Sequence, residues 1–268
     1  MRQLIKHEFK NSFKFSIIGL AICLAGYLLY SIYMFIIVHI GRGNMYINII
    51  TGTFTLILIA SIATPVIFFF INCKKTCIDK IFYDEGYLTM SLPVSTHELI
   101  LSKIIVLIIW GLVYVVANYI GSLLLTLVMI GDVNSTFEFI KNAIQSTFFS
   151  GIESVMKIYD LLIDVIKVVL IIFLVGSLTN LFRARQNKVV IGIAMAFVIV
   201  SCISTLNTVA QILPFGVLRT MKGYQFHFGI TYDGSYVVNI TSIIINIGLL
   251  IAMYFINYKI IDKDLELI

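Results

Sequence analysis

Few side chains in this 268-residue sequence have the spacing that chemistry needs. The four histidines, His7, His39, His97 and His227, are scattered, so no pair has the H-E-x-x-H spacing that brings two imidazoles onto one helical face for zinc. There is no G-x-x-x-x-G-K-[ST] phosphate cradle and no G-x-S-x-G turn to present a nucleophilic serine. Gly131-Asp132 lacks the glycine two positions earlier that an intramembrane aspartyl protease would carry. Cys73 and Cys77 are spaced unusually for structural zinc and have no second ligand pair nearby; two free thiols at a membrane boundary are the simpler account. Asp164 and Lys167, three apart, suit an ion pair on one helical face. No catalytic or metal-ligating residue is assigned, and the chain is not expected to be an enzyme.

The elements that must position these groups are membrane helices. Hydrophobic residues make up 60% of the chain and charged residues 12%, against about 25% charged in an ordinary globular domain. The mean hydropathy is +1.02. A soluble fold of this size could not bury that much apolar surface. A soluble enzyme, a disordered protein and a nucleic-acid-binding domain are therefore excluded, and a net charge of +5 adds little. Crossing about 30 Å of hydrocarbon takes about 20 apolar residues in a helix. Six stretches satisfy this, 15–40, 49–71, 104–130, 161–182, 189–213 and 238–258, which predicts an all-α, polytopic membrane protein of one transmembrane domain. Only Asp164 and Lys167 are ionised within them, near one end of the fourth. The first stretch is too long and too late for a signal-peptide core, and Leu20-Ala21-Ile22-Cys23 lacks the small residue that lipoprotein processing requires. The longest connection, 72–103, is shorter than the ~40 residues at which unaided domains begin to fold. Any soluble catalytic or regulatory domain is therefore expected on another polypeptide.

Orientation follows from the basic residues. Thirteen fall on one side, in segments 1–14, 72–103, 183–188 and 259–268, and six on the other, Arg42, Lys141, Lys157, Lys167, Arg219 and Lys222. Both termini are accordingly expected in the cytoplasm. In the first fourteen residues Ile5, Phe9 and Phe13 recur every four, with Arg2, Lys6, Lys10 and Lys14 between them. That pattern predicts an amphipathic helix at the headgroup level; the alternative is a positive flank that only fixes topology.

The most informative connection lies between spans two and three, from Phe82 to Lys103. The acidic pair Asp84-Glu85 precedes Gly86 and Tyr87. Leu88 and Leu92 are four apart and would share a face of a short helix, which Pro93 stops. Ser95 is the expected N-cap of the next helix, with Glu98 three residues later completing a capping box. Two rigid helices would thus carry a compact knob.

This arrangement, an acidic residue followed by Glu85-Gly86, then Leu92-Pro93-Val94-Ser95, Leu99-Ile100 and Ser102-Lys103 between the second and third of six spans, resembles permease subunits of the type-2 ABC transporter (exporter) family. The six-span layout with both termini inside and an amphipathic start extends the resemblance along the chain. It implies that the knob is a coupling helix docked on a separate ATP-binding subunit. Carried over by position, Asp84, Glu85 and Gly86 open it, Tyr87, Leu88 and Leu92 offer the docking face, and Pro93 ends it. The start around Ile5 to Lys14 resembles the family's connecting helix. The family usually has a basic residue shortly after the Glu; Tyr87 stands there, so no salt bridge is assigned. The resemblance further implies ATP and magnesium on the partner rather than on this chain. It also implies a bacterial plasma-membrane location and pairing with a second copy or a related permease along the substrate path. Alternatives are a structural re-entry turn in a membrane anchor, sensor or immunity protein acting through its outer loops, or an ion-coupled carrier. The carrier would need a charge deep in the membrane, whereas Asp164 and Lys167 lie near the edge.

Candidate path residues follow from polarity within the spans. Ser201, Ser204, Thr208 and Gln211 share one face of span five, with Thr205 and Asn207 beside them. Asn118, Asn180 and Asn246 are further intramembrane amides, which line a path or hold helices together. Compatible substrates are amphipathic peptides, drugs or lipids. Pro65 predicts a kink or loosening of span two. Segment 131–160 has near-helical spacing and is expected as an outer amphipathic helix running into span four, or as a cap or partner-binding element. Segment 214–237, rich in aromatics, resembles the family's outer re-entrant region or forms an interfacial belt.

Overall fold

The computed structural model describes residues 1–40, 45–82, 95–130, 138, 141–142, 145, 152–181, 188–212, 215–220, 223–228 and 236–265. Along the chain run α1 (Arg2–Ile40), α2 (Met45–Cys73), a π-helical stretch (Lys74–Asp79), α3 (Lys80–Phe82), α4 (Thr96–Ile130), α5 (Ile152–Leu181) and α6 (Lys188–Ile212). Then follow β1 (Phe215–Thr220), β2 (Gly223–Phe228), β3 (Tyr236–Asn239) and α7 (Ile240–Leu265). Among the described residues, six helices are long and apolar enough to cross a membrane, in segments 2–37, 51–79, 96–126, 154–180, 190–210 and 240–262. They coincide with the six predicted spans.

Two expectations are corrected. The first residues are helical as expected but are not a separate element, because α1 runs without a break from Arg2 to Ile40. No proline or glycine interrupts its first turns, and Ser12 donates to the carbonyl of Glu8 at 3.0 Å within the helix. At 1.5 Å per residue a 39-residue helix is about 58 Å long, longer than a bilayer with its headgroups, so it projects beyond the apolar layer. The chain is also not purely α-helical. Residues 215–239 contain a three-stranded antiparallel sheet in the order β2-β1-β3. β1 pairs with β2 from Phe215↔Phe228 to Thr220↔Gly223, and with β3 through Gly216↔Asn239 and Val217↔Val238, with a register shift before Leu218↔Tyr236. The alternation Tyr224, Phe226, Phe228 is a period-2 pattern that favours a strand over an unstructured belt.

The chain forms two compact units, residues 1–73 with 105–147, and residues 74–104 with 148–268. In the first, α1 turns Ser12, Ser16, Gly19, Cys23, Gly26 and Tyr27 inward, while Ile18, Ile22, Leu29, Ile32 and Phe35 face outward. This inverts a soluble helix. Where lipid is the solvent, burying large aliphatics brings no advantage, whereas small residues allow close helix approach and hydroxyls find partners. Asn72 Nδ2 donates to Ser16 Oγ at 3.0 Å, and the Tyr114 hydroxyl donates to the Ser16 carbonyl at 3.2 Å. Phe9 stacks on Trp110 with centroids 5.2 Å apart, so this predicted interfacial residue packs against protein. Tyr30, Tyr33 and Met34 form a core with Phe54, Leu58 and Leu125, Tyr33 stacking on Phe54 at 3.9 Å. Pro65 lies inside α2, which continues through it as helix.

In the second unit Cys77 and Thr76 of the π-helical stretch are buried, as are Lys80 and Lys103. Cys73, which closes the first unit, is buried too, and neither cysteine forms a disulfide. Ser95 caps α4 as expected: its Oγ accepts the Glu98 N–H at 3.3 Å and its carbonyl accepts the Leu99 N–H at 3.1 Å. The first turn of α4 is clasped to α7. Thr96 Oγ1 donates to Asp262 Oδ1 at 3.2 Å, His97 Nδ1 and the Tyr254 hydroxyl share a hydrogen bond of 2.6 Å, and the His97 ring stacks on Tyr258 at 4.2 Å. Asn257 is fully buried between α5 and α7, accepting from Ser177 Oγ at 3.2 Å and donating to the Leu170 carbonyl at 3.3 Å.

Candidate functional site

A polar cavity of about 340 Å³ opens in the second unit, where the start of α5, the end of α6, β3 and the start of α7 converge. Each wall has a sequence reason. On α5, Asp160, Ile163, Asp164 and Lys167 recur at three- and four-residue spacing and so share a face. On α7, Asn239, Ser242, Ile243 and Asn246 do the same. Asn207 enters from α6.

Asn239 builds the corner. It is the N-cap of α7, its Oδ1 accepting the Ser242 N–H at 3.2 Å, and its Nδ2 donates to the Ala210 carbonyl in the last turn of α6 at 3.2 Å. One amide thus joins two helix ends across the sheet, and β3 fixes it by pairing Asn239 with Gly216. Asn239→Ala is expected to cost about 1 kcal/mol and to lower the thermal midpoint by a few degrees, measured on the purified protein in detergent.

The charged groups are unevenly buried. Lys167 is 8% exposed and reaches back to Asp164 Oδ1 at 3.6 Å, the ion pair expected from the sequence, while the Asp164 side chain is largely solvent-exposed. Among the described residues Asp160 has no ion pair within hydrogen-bonding range. Two amide oxygens have no partner: Asn207 Oδ1 and Asn246 Oδ1 are both buried and unbonded, although Asn246 Nδ2 reaches Ser242 Oγ at 3.4 Å. A buried acceptor without a donor costs about 1–3 kcal/mol.

The predicted site residues divide between the units. Asp84, Glu85, Gly86, Tyr87, Leu88, Leu92 and Pro93 lie outside the described residues. Asn118 belongs to the first unit, where it joins helices: the Tyr27 hydroxyl donates to its Oδ1 at 3.1 Å and its Nδ2 donates to the Tyr114 carbonyl at 3.3 Å. Asn180 is half-buried near the end of α5. On α6 Ser204 and Thr208 are exposed and Ser201 is half-buried; Thr208 Oγ1 bonds its own helix at the Ser204 carbonyl, 2.9 Å away. The side chain of Gln211 lies outside the described residues. The face of α6 that enters the cavity is therefore that of Asn207, next to the predicted stripe. Sequence reasoning missed Asp160 and Asn239 as site residues. The signal for Asp160 was its spacing of four and seven from Asp164 and Lys167, and the signal for Asn239 was an Asn three residues before Ser242 at the mouth of an apolar run. In segment 131–160, Glu138, Lys141, Asn142 and Gln145 are helical and exposed, and α5 begins at Ile152, in line with a helix entering span four. No group of three or more His, Cys, Asp or Glu able to hold a metal occurs among the described residues.

No family model matches this sequence, and no curated protein or solved structure matches it significantly.

Proposed function

We propose that this chain is the transmembrane permease subunit of an ATP-driven exporter, moved by a separate ATP-binding subunit that docks on the 80–100 loop through Asp84 to Pro93. The observation that carries this reading is the clasp at the start of α4. The segment ends at the Ser95 cap, and the first turn beyond it is tied to α7 through Thr96–Asp262 and His97–Tyr254. A force applied to the segment would therefore reach the last span directly instead of being lost in a flexible joint. The motif Glu85-Gly86 to Leu92-Pro93-Val94-Ser95 and the absence of any connection long enough for a nucleotide-binding domain of its own support the same reading. On it the chain pairs with a second copy or a related permease in a bacterial plasma membrane, both termini are cytoplasmic, and ATP and magnesium sit on the partner.

Leu88→Asp and Leu92→Asp test the assignment. Each places a charge on the proposed docking face, where an unpaired buried carboxylate is strongly unfavourable. Both variants are expected to insert at normal yield and to lose co-purification with an ATPase encoded beside this chain. Retention of the ATPase by both at parental yield would refute the docking site.

A further inference from the structure

We propose that Lys167 anchors a binding site for an α-amino acid with an apolar side chain, the carboxylate of the ligand on Lys167 and its ammonium on Asp164. The site lies wholly within the second unit and does not depend on an ATPase docking elsewhere.

Lys167 is a buried cation with unused donors. It is 8% exposed and lines the cavity, yet among the described residues its ammonium meets only Asp164 Oδ1, at 3.6 Å, which is beyond hydrogen-bond length. A buried ammonium is costly unless its N–H groups find acceptors. The neighbouring amide oxygens do not supply them, since Asn207 Oδ1 and Asn246 Oδ1 are sealed in protein without a partner. The polar atoms that the wall does present are further donors. Asn207 lines the cavity while its Oδ1 is sealed, so the polar atom it turns to the cavity is Nδ2, which has no acceptor among the described residues. Ser242 Oγ accepts from Asn246 Nδ2 at 3.4 Å and keeps its own hydrogen to donate. An ammonium, an amide N–H and a hydroxyl lining one cavity suit a carboxylate, and the charged member makes the strongest bond.

A simple anion would also meet Asp160 and Asp164, which line the same wall. Both are exposed, one and two turns from Lys167 along α5, and so remain hydrated and ready to take an ammonium. A ligand with both charges therefore suits this wall better than an anion or a cation alone. Covalent geometry sets the ammonium and carboxylate of an α-amino acid about 3 Å apart. That matches the 3.6 Å between Lys167 and Asp164. Set antiparallel to this pair, the ligand gives Lys167 a hydrogen-bonding carboxylate and Asp164 an ammonium while leaving the pair intact. Met156, Ile163 and Val238 in the lining suit an apolar side chain, and 340 Å³ holds about ten waters at ~30 Å³ each, room for leucine.

Equilibrium dialysis of tritiated leucine against the full-length protein in detergent tests the site. Saturable binding is expected, displaced by unlabelled leucine. Two analogues each lack one charge: 4-methylpentanoate has no ammonium and 3-methylbutylamine has no carboxylate. Each is expected to need at least about tenfold more than leucine for equal displacement. Lys167→Met keeps the apolar stem and removes the cation, and it strands no buried charge because Asp164 is exposed. Its Kd for leucine is expected to rise at least about tenfold, with an unchanged elution profile on size exclusion. Ser204→Ala, on the outward face of α6, is expected to leave the Kd unchanged. Absence of saturable leucine binding would overturn the proposal. So would displacement by either analogue as readily as by leucine, a result that needs no variant to fold, or leucine binding that survives Lys167→Met.

Discussion

Gly26→Val is expected to destabilise the first unit by about 3 kcal/mol, at the upper end of what overpacking costs. A Cβ at Gly26 would fall on Ser61 Oγ, where α1 packs against α2. Turning the Ser61 hydroxyl aside would break its 2.7 Å bond to the Ile57 carbonyl and still leave Ser61 Cβ 2.9 Å from the added carbon. The clash would have to be relieved by separating the two helices, which the packing of Gly19 against Phe68 resists. The same chemistry elsewhere has the opposite sign. A methyl group added at Gly52 or Gly248 would meet no atom within 4 Å, so Gly52→Ala and Gly248→Ala are expected to be neutral or stabilising by up to ~1 kcal/mol through helix propensity. Thermal unfolding in detergent, followed by size-exclusion fluorescence, separates the two classes. A Gly26→Val protein as stable as Gly52→Ala would mean that α1 and α2 do not approach closely at Gly26.

Asn257→Asp is expected to cost the second unit about 3 kcal/mol or more, because a carboxylate there is buried in a membrane-spanning helix. The change is nearly isosteric, so the loss is electrostatic. The side chain is fully buried, accepts from Ser177 and donates to the Leu170 carbonyl. Aspartate keeps the acceptor but replaces the donor with an oxygen facing an oxygen. Asn257→Leu removes both bonds without adding charge. It should cost less, about 1–2 kcal/mol, since interhelical hydrogen bonds within membranes are individually modest. Measured thermal stabilities in the order parent, Leu variant, Asp variant are expected; equal stabilities for parent and Asp variant would mean that the α5–α7 contact is wet.

The fold was legible to different depths. All six spans coincide with apolar stretches, and the Ser95 cap and the Asp164–Lys167 pair stand where residue spacing put them. Residues 1–14 were read as a separate element, but their amphipathic spacing is satisfied equally well by the continuous helix that runs from Arg2 to Ile40. The sheet was missed because its aromatics suit an interfacial belt as well as they suit strands. The alternation through Tyr224, Phe226 and Phe228 was the distinguishing signal.

Partition into lipid is a sum over about twenty neighbouring residues, and a cap or an i,i+3 pair spans less than one turn. These are local properties, so the amino-acid sequence alone determined them. Which polar groups meet is not local. Periodicity shows that Ser204 and Thr208 share a face of α6, but only the packed unit turns that face outward and brings Asn207 into one cavity with Asn246 and Asp160. The rotation of each helix about its axis is set by close approach at small residues and by long-range ties such as Asn239 to Ala210 and Asn257 to Leu170. Those ties join residues that are far apart in the sequence, so the site became visible only in the tertiary structure.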